Sequence, residues 1–332
     1  MPLFHPFNAG LIDYPKAGER WLFSGALHEM VPPEGFSAEF LCVQGFRPHF
    51  LALEKAGWRV FAEMQDDMAD LEGALMLMGR SRDDNLLRLQ GVLRAVRPGG
   101  MIVIAGGKTQ GASSFRKLLA RHVADLDHAS KHHGIAMWFR RPAEWVADDI
   151  APMPQVEQGI YVTAAGGFSA DGPDPASVML ADHFFGKLEG AVADFGAGWG
   201  YLGVQALQRC SAIVSLESFE ADWRSLAAAR INLARAGSQA KLAFHWQDLT
   251  TEAVARRFDR IIMNPPFHFA RAADPAIGIA FIQAASAALK PGGRLLVVAN
   301  RNLPYEQTLT AGFRRMEKIE EGGGFKIFEA WR

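Results

Sequence analysis

A ten-residue pattern occurs twice in this chain of 332 residues, at a constant offset of 193 positions. The two segments are 96–105 and 289–298, and each places a Pro-Gly-Gly turn ahead of an apolar run. A repeat of this kind indicates an internal duplication, so the chain is expected to fold as two related domains. We predict that they span residues 1–150 and 151–332, joined within the proline- and acid-rich segment 142–158.

The second half of the chain alternates strand patterns with helix patterns. Apolar runs typical of strands lie at 191–194, 212–216, 241–246, 260–263 and 294–299. Helical patterns lie between them at 202–209, 221–236 and 276–289. This alternation predicts an α/β fold with a doubly wound, mostly parallel, Rossmann-like sheet, in which ligands bind at the carboxyl ends of the strands. In the first half, we expect strands at 40–43 and 58–61.

The composition excludes several classes of protein. Hydrophobic residues make up 49% of the chain, which is enough for two cores. No apolar run reaches the ~18 residues that span a membrane, and the start carries no signal segment, so a soluble cytoplasmic protein is expected. Cys42 and Cys210 are far apart, and no Cys/His cluster has the spacing of a zinc site, so we expect no metal.

Basic residues are concentrated in one part of the first half. Residues 80–141 hold 12 Lys and Arg against 4 Asp and Glu, whereas residues 1–79 hold 5 against 11. Arg116 and Lys117 lie within this basic segment. Such a segment suits the phosphate backbone of RNA. A solvated helix face, offset by the acidic segment before it, explains the pattern equally well.

A glycine-rich loop follows the first predicted strand of the second half. Asp194 ends that strand, and Gly196, Gly198 and Gly200 follow it. Closely spaced glycines let the backbone approach a ligand, and Gly198, Gly200 and Gly203 also match the dinucleotide fingerprint of NAD enzymes. A carboxylate at position 194 would repel a pyrophosphate but would suit the amino group of S-adenosylmethionine, which has no phosphates. S-adenosylmethionine is therefore the predicted cofactor.

Two further acids follow the next strands in turn. We expect Glu217 to end the second strand and to accept hydrogen bonds from the ribose hydroxyls. Asp248, with Leu249 next to it, follows the third strand in a position suited to the adenine amine. Each acid alone could be a helix cap or a surface charge. Their placement after successive strands favours the cofactor site.

The chain leaves its fourth strand through the sequence Asn264-Pro265-Pro266-Phe267-His268. Two prolines cannot continue a strand, so the chain must turn stiffly and present carbonyl oxygens and the Asn264 amide. If the Asn264 side-chain oxygen and the Pro265 carbonyl accept both hydrogens of a planar amine, its lone pair can point at a methyl carbon. Phe267 would stack on the ring. His268 is predicted to accept the released proton, to contact a substrate phosphate or to act indirectly.

These segments together resemble the bacterial ribosomal RNA guanine-N2 methyltransferases of the RsmC type. The resemblance covers about residues 160–332, through segments at 167–177, 194–200, 264–268, 298–305 and 324–326. It implies two tandem methyltransferase-like domains, of which the second binds S-adenosylmethionine. The N-terminal copy would be degenerate and would support RNA binding and folding.

The resemblance also implies roles for single residues. Phe168, Asp174 and Ser177 would line the cofactor or base pocket, and residues 264–267 would hold the target guanine. The chain departs from the family at Ala176, where glycine is usual, and at Pro175, which replaces an apolar residue. It also carries Glu217 where family members often carry aspartate.

The sequence therefore predicts an S-adenosylmethionine-dependent methyltransferase acting on the exocyclic N2 amine of a guanine in ribosomal RNA, preferentially that of the small subunit. Its partner would be ribosomal RNA or a ribosomal subunit. The alternatives are a methyltransferase of another planar amine (a large-subunit guanine, a DNA adenine or a protein glutamine) and a non-catalytic RNA-binding protein. The DNA adenine and protein glutamine classes usually have tyrosine in the place of Phe267.

Overall fold

The computed structural model describes residues 2–131, 133–145, 155–158, 160–266, 268–269, 272–273 and 275–332. The chain divides into two compact units, Met1–Pro154 and Gln155–Arg332, close to the predicted boundary. Each unit contains a seven-stranded sheet with flanking helices, which confirms the expected α/β class with two Rossmann-like sheets. Within the part of the chain that the structure describes, no helix is both long and apolar enough to cross a membrane.

The first unit forms a mostly parallel sheet in the order β3-β2-β1-β4-β5-β7-β6, with β7 antiparallel to both of its neighbours. Its strands are β1 (Arg20–Ser24), β2 (Glu39–Val43), β3 (Val60–Phe61), β4 (Leu71–Leu77), β5 (Val96–Gly107), β6 (Asp127–Lys131) and β7 (Gly134–Arg140). Its α-helices are α1 (His5–Asn8), α2 (Arg47–Lys55), α3 (Arg82–Ala95) and α4 (Ala112–Leu119). The adjacent strands β1 and β4, in the middle of this sheet, were not among the predicted strands.

The second unit repeats this order as β12-β11-β10-β13-β16-β18-β17. The strands of its large sheet are β10 (Gly190–Phe195), β11 (Ile213–Glu220), β12 (Lys241–Trp246), β13 (Phe258–Met263), β16 (Leu289–Asn300), β17 (Arg315–Gly322) and β18 (Phe325–Trp331). Two short hairpins pair β8 (Gln155–Gln158) with β9 (Tyr161–Ala164), and β14 (His268–Phe269) with β15 (Ala272–Ala273). Its helices are α5 (Pro175–Ala181), α6 (Tyr201–Arg209), α7 (Trp223–Arg235), α8 (Pro275–Ala288) and α9 (Tyr305–Gly312).

Two local predictions are corrected by the structure. The second strand of this unit was expected at 212–216, but β11 continues to Glu220. The expected turn at 291–293 lies inside β16, where the pairing with β13 shifts register between Phe258 and Arg260. Part of the predicted linker 142–158 lies outside the described residues.

The register of the second sheet brings the ends of three strands together. β10 lies between β11 and β13, and Phe195 is paired with Phe219 on one side and Met263 on the other. All three strands are parallel, so the residues that follow these partners meet at one edge of the sheet. Apolar residues of β10, β11 and β13 pack into a core on each face of the sheet. The same edge therefore receives the glycine loop, the end of β11 and the Asn-Pro-Pro corner.

A buried asparagine on α7 ties the start of the second unit to this edge. The Asn232 side chain donates to the carbonyls of Val162 and Trp199, both at 2.7 Å, and accepts from the Val162 N–H at 2.8 Å. The Trp199 indole N–H in turn donates to the Ser169 carbonyl at 3.1 Å. Buried polar groups of this kind specify one arrangement, because an unpaired partner would be costly. The segment before α5 is thus held against the glycine loop.

Candidate active site

The glycine loop has the open cradle that the sequence predicted. Gly196, Gly198 and Gly200 have φ angles of 74°, 55° and 90°, a region that side chains disfavour. A Cβ atom at Gly200 would lie 2.5 Å from Leu233 Cδ1, so this position packs on α7. A Cβ atom at Gly198 would meet nothing within 4 Å. The loop backbone at Gly198 therefore lies open to a ligand.

Asp194 places a buried carboxyl group beneath this loop. The residue is fully buried, and neither carboxylate oxygen has a hydrogen-bond partner of good geometry among the described residues. Burial raises the pKa of Asp194 to about 7, while the Gly203 N–H lowers it and the Glu220 carboxylate raises it further. A carboxylate that is this poorly compensated would be stabilised by a cation bound nearby. The amino group and sulfonium of S-adenosylmethionine carry such charge.

Glu220 is a site residue that the sequence reasoning missed. It ends β11, and its carboxylate accepts hydrogen bonds from the Gly198 N–H at 2.7 Å and the Asp222 N–H at 2.8 Å. Burial raises its pKa to about 7, and the Asp222 carboxylate raises it further, while N–H groups including that of Gly198 oppose the shift. Each oxygen retains a lone pair for a ribose hydroxyl.

The spacing from the loop could have identified this residue. Glu220 lies 20 residues after Gly200, whereas Glu217 lies 17 residues after it. An acid about 20 residues beyond the glycine loop is the usual ribose ligand in Rossmann-like sheets.

The expectation that Glu217 ends the second strand is wrong. Glu217 lies inside β11, paired in register with Ala193 and Ala243. Its buried carboxylate accepts from His245 Nε2 at 2.9 Å and forms an ion pair with Arg256. The side chain is therefore engaged in a local ion-pair cluster three residues before the strand end.

Asp248 follows β12 as predicted, but its carboxylate is engaged in a turn. One oxygen accepts from the backbone N–H and the hydroxyl of Thr250 at 2.9 and 2.6 Å, and the other accepts from the Thr251 hydroxyl at 2.7 Å. Leu249 is buried in the core beside Phe195 and Phe219. The local geometry gives Asp248 a turn-forming role, and its contact with adenine stays a prediction.

Asn264 is held in one orientation at the end of β13. Its amide nitrogen donates to Asp174 Oδ2 and to Ser177 Oγ, both at 2.9 Å. No described residue donates to its side-chain oxygen, which therefore remains as an acceptor. Pro265 is buried and Pro266 is exposed. The structure thus brings Asp174 and Ser177, which were predicted from the resemblance, into direct contact with Asn264.

The other predicted substrate residues are not seen in contact with Asn264 in the part of the chain that the structure describes. Phe168 is 57% exposed, in the loop anchored to Trp199. Phe267 lies outside the described residues. The backbone of His268 belongs to β14, and its side chain also lies outside the described part of the structure. Arg116 and Lys117 lie in the last turn of α4, in the first unit.

The departures at 175 and 176 leave the local backbone regular. Asp174 caps α5, accepting from the Ser177 N–H at 2.9 Å, and Pro175 occupies the first helical turn. Proline is favoured there because its missing N–H would have no helical partner. Ala176 is buried in the apolar core.

The first unit keeps the backbone of this cleft. Gly25 follows β1 as Gly196 follows β10: both have positive φ, and each N–H donates at 2.9 Å to a carbonyl near the end of the neighbouring strand. The acceptors are Val43 in the first unit and Phe219 in the second. Gly25 is therefore the counterpart of Gly196. The segment 44–48, with its single glycine, follows β2 instead of β1.

Side chains close the cleft of the first unit. A Cβ atom at Gly25 would lie 1.8 Å from Nη1 of Arg88, which donates to the Leu77 carbonyl at 3.0 Å. Gln44, the counterpart of Glu220, donates to the Ala26 carbonyl at 2.8 Å. Asn85 exchanges two hydrogen bonds with the Gly79 backbone, beyond the end of β4. Among its described residues, the first unit therefore lacks an open glycine loop, an acid in the place of Glu220 and an Asn-Pro-Pro corner.

Known proteins share this sequence and this architecture. The profile of the methyltransferase small domain family matches residues 158–329. A ribosomal RNA small subunit methyltransferase C from Shewanella loihica is 34% identical over 253 residues, covering 73% of this chain and 71% of that protein. One from Sodalis glossinidius is 30% identical over 256 residues, covering 76% and 71%.

A solved structure agrees with the fold. The T. thermophilus 16S rRNA N2 methyltransferase in complex with AdoMet and guanosine has a TM-score of 0.77 and 22% sequence identity, and the match covers 100% of this chain and 92% of that chain. The agreement in fold extends to both units.

We predict that Glu220→Gln weakens binding of S-adenosylmethionine by roughly 10- to 100-fold, because hydrogen bonds to a charged acceptor are replaced by weaker ones. Glu217→Gln is the matched control, since it removes one charge from the same strand, and it should change the dissociation constant by less than about threefold. Isothermal titration calorimetry on both variants measures this difference. A larger loss of cofactor affinity in Glu217→Gln than in Glu220→Gln would contradict the assignment of Glu220 to the cofactor site.

Proposed function

The chain belongs to the ribosomal RNA small subunit methyltransferase C family, and from this membership we propose that it methylates the exocyclic N2 amine of a guanine in small-subunit ribosomal RNA. It is a methyltransferase, and its cofactor is S-adenosylmethionine. The observation that carries the choice of an amine is the Asn264 amide, whose nitrogen is engaged and whose oxygen remains to accept. Ribosomal RNA or a ribosomal subunit is the proposed partner.

At the sheet edge, some residues would bind the cofactor and others would orient the guanine amine. The open backbone at Gly198, the buried charge of Asp194 and the carboxylate of Glu220 would hold the cofactor, which supplies an electrophilic methyl group when bound. Asn264 Oδ1 and the Pro265 carbonyl would accept the two hydrogens of the guanine amine. Both acceptors fix the directions of the N–H bonds and polarise them towards the nitrogen, so that its lone pair leaves conjugation with the ring and points at the methyl carbon. The amine releases one proton after transfer, so the site needs no strong base.

The N-terminal unit is proposed to support this reaction without catalysing it. Arg88 and Gln44 stand where Phe281 and Glu220 stand in the second unit, so the first cleft has a guanidinium beside its glycine turn and an amide in place of the ribose acid. The basic segment 80–141 lies in this unit, and Lys117, Arg121 and Lys131 are exposed on it. An RNA backbone contacted there would add affinity for the substrate without taking part in the transfer.

We predict that Asn264→Ala lowers methyl transfer to ribosomal RNA at least about 100-fold, because the amine loses an acceptor needed to orient it. Cofactor affinity should stay within about tenfold of the original value, since the substitution removes amine contacts only. The measurement is transfer of a labelled methyl group from S-adenosylmethionine to RNA and to 30S subunits that lack the modification.

The unmodified chain provides the test of the function itself. If it binds S-adenosylmethionine and labels neither naked ribosomal RNA nor 30S subunits, the proposed substrate is wrong. If Asn264→Ala loses cofactor binding as severely as transfer, Asn264 serves the cofactor instead of the amine. Nuclease digestion of the labelled product separates RNA from protein as the acceptor.

Charge reversal at Arg116 and Lys117 should weaken RNA binding and reduce its dependence on salt. Loss of two phosphate contacts lowers the slope of log affinity against log salt by about 1–2. Reversal of Lys16 and Lys55, two exposed residues of the acidic segment, is the matched control. Fluorescence anisotropy with labelled RNA at several salt concentrations measures the slope. A slope equal to that of the control pair would make the basic segment a solvated surface.

A further inference from the structure

We infer that Asp174 and Ser177 are positioning residues: they fix the Asn264 amide with its oxygen facing the substrate amine, and they do not themselves read the guanine. This inference rests on the proposed function, in which Asn264 accepts a hydrogen from that amine. It replaces the pocket-lining role that the family resemblance implied for the two residues.

The contacts leave the amide nitrogen no further hydrogen to donate. Asn264 Nδ2 carries two hydrogens, and its two partners are Asp174 Oδ2 and Ser177 Oγ, each at 2.9 Å. The partners come from the segment ahead of β10, 90 and 87 residues earlier in the chain. Ser177 is 7% exposed, so its hydroxyl is shielded from competing water. Both hydrogens therefore point away from the substrate side.

Orientation matters because an asparagine side chain has two nearly isosteric forms. A rotation of about 180° about its last bond exchanges oxygen and nitrogen at little intrinsic cost. The flipped form would present N–H groups to the N–H groups of the guanine amine, and two donors cannot bond. Free exchange between the forms would therefore reduce the population able to hold the amine. Asp174 and Ser177 favour the productive form, because a carboxylate accepts the amide nitrogen and disfavours its oxygen.

Asp174 is itself held rigidly enough for this task. The oxygen that accepts from Asn264 also accepts the Ser177 N–H at 2.9 Å as the cap of α5. The loop before it is anchored by the Trp199 indole N–H on the Ser169 carbonyl and by the Thr163 hydroxyl on the Ala170 carbonyl, at 3.1 and 3.0 Å. A shell fixed in this way holds the amide within the small tolerance that transfer requires.

Two substitutions at position 174 separate positioning from helix capping. Asp174→Ser keeps a favoured cap residue, but its shorter side chain cannot reach Asn264. Asp174→Asn keeps an oxygen at the original reach, able to accept both N–H groups. Both variants are made in the full chain and assayed for kcat and KM with 30S subunits, for the cofactor dissociation constant and for the thermal midpoint.

We expect Asp174→Ser to lower kcat roughly 10- to 100-fold, with the cofactor dissociation constant and the thermal midpoint close to those of the unmodified chain. Asp174→Asn should recover most of this loss. A fully active Asp174→Ser variant would overturn the inference. An Asp174→Asn variant as slow as Asp174→Ser would also overturn it, because an acceptor at the original reach would then not be enough to position Asn264. Failure of the unmodified chain to methylate any RNA would instead refute the proposed function.

Ser177→Ala provides an independent readout at the second partner. Removing the hydroxyl takes away one of the two acceptors without altering the cap, because the backbone N–H of residue 177 still donates to Asp174. We expect a smaller loss of kcat, roughly 3- to 10-fold, with KM unchanged. A loss that appears only in KM would show that Ser177 touches the substrate, which would contradict the positioning role.

Discussion

Parallel pairing of β10 with β11 and β13 is the constraint on which the site depends. The pairing fixes Phe195 beside Phe219 and Met263, and so fixes where the three strands end. Gly196, Glu220 and Asn264 each follow one of these partners directly. A shift of one residue in either pairing would turn every side chain of the strand to the opposite face and separate these groups. The apolar cores on both faces make such a shift costly.

The two large sheets have the same strand order, but different side chains line their clefts. In the first unit, Gly25 has a positive φ and its N–H donates to the neighbouring strand, as Gly196 does in the second unit. The cleft of the first unit is nevertheless occupied by the Arg88 guanidinium, while the corresponding position near Gly196 holds the ring of Phe281. The two units therefore share their topology and differ in the side chains that line the cleft. The duplicated fold alone would not have distinguished the two clefts.

Local patterns predicted the parts of the site that lie along one stretch of chain. These parts are the alternation of strands and helices, the glycine loop and the Asn-Pro-Pro corner. Each is set by residues adjacent in sequence, so a sequence pattern can reveal it. The end of β11 was misjudged because Glu217 and Ser218 interrupt the apolar run, although both are buried in the sheet. The partners of the buried Glu217 carboxylate are His245 and Arg256, which no local pattern connects to it. The bond from Asn264 to Asp174 spans 90 residues and needed the folded chain to be seen.

The central claim is that Asn264 presents its side-chain oxygen to the N2 amine of a guanine. A crystal structure of the full chain with S-adenosylhomocysteine and guanosine tests it most directly. We predict a distance of about 2.8–3.2 Å between guanine N2 and Asn264 Oδ1, with Asp174 and Ser177 still bonded to the amide nitrogen. Guanosine bound with its N2 atom away from Asn264, or a corner with no space for the base, would contradict the account.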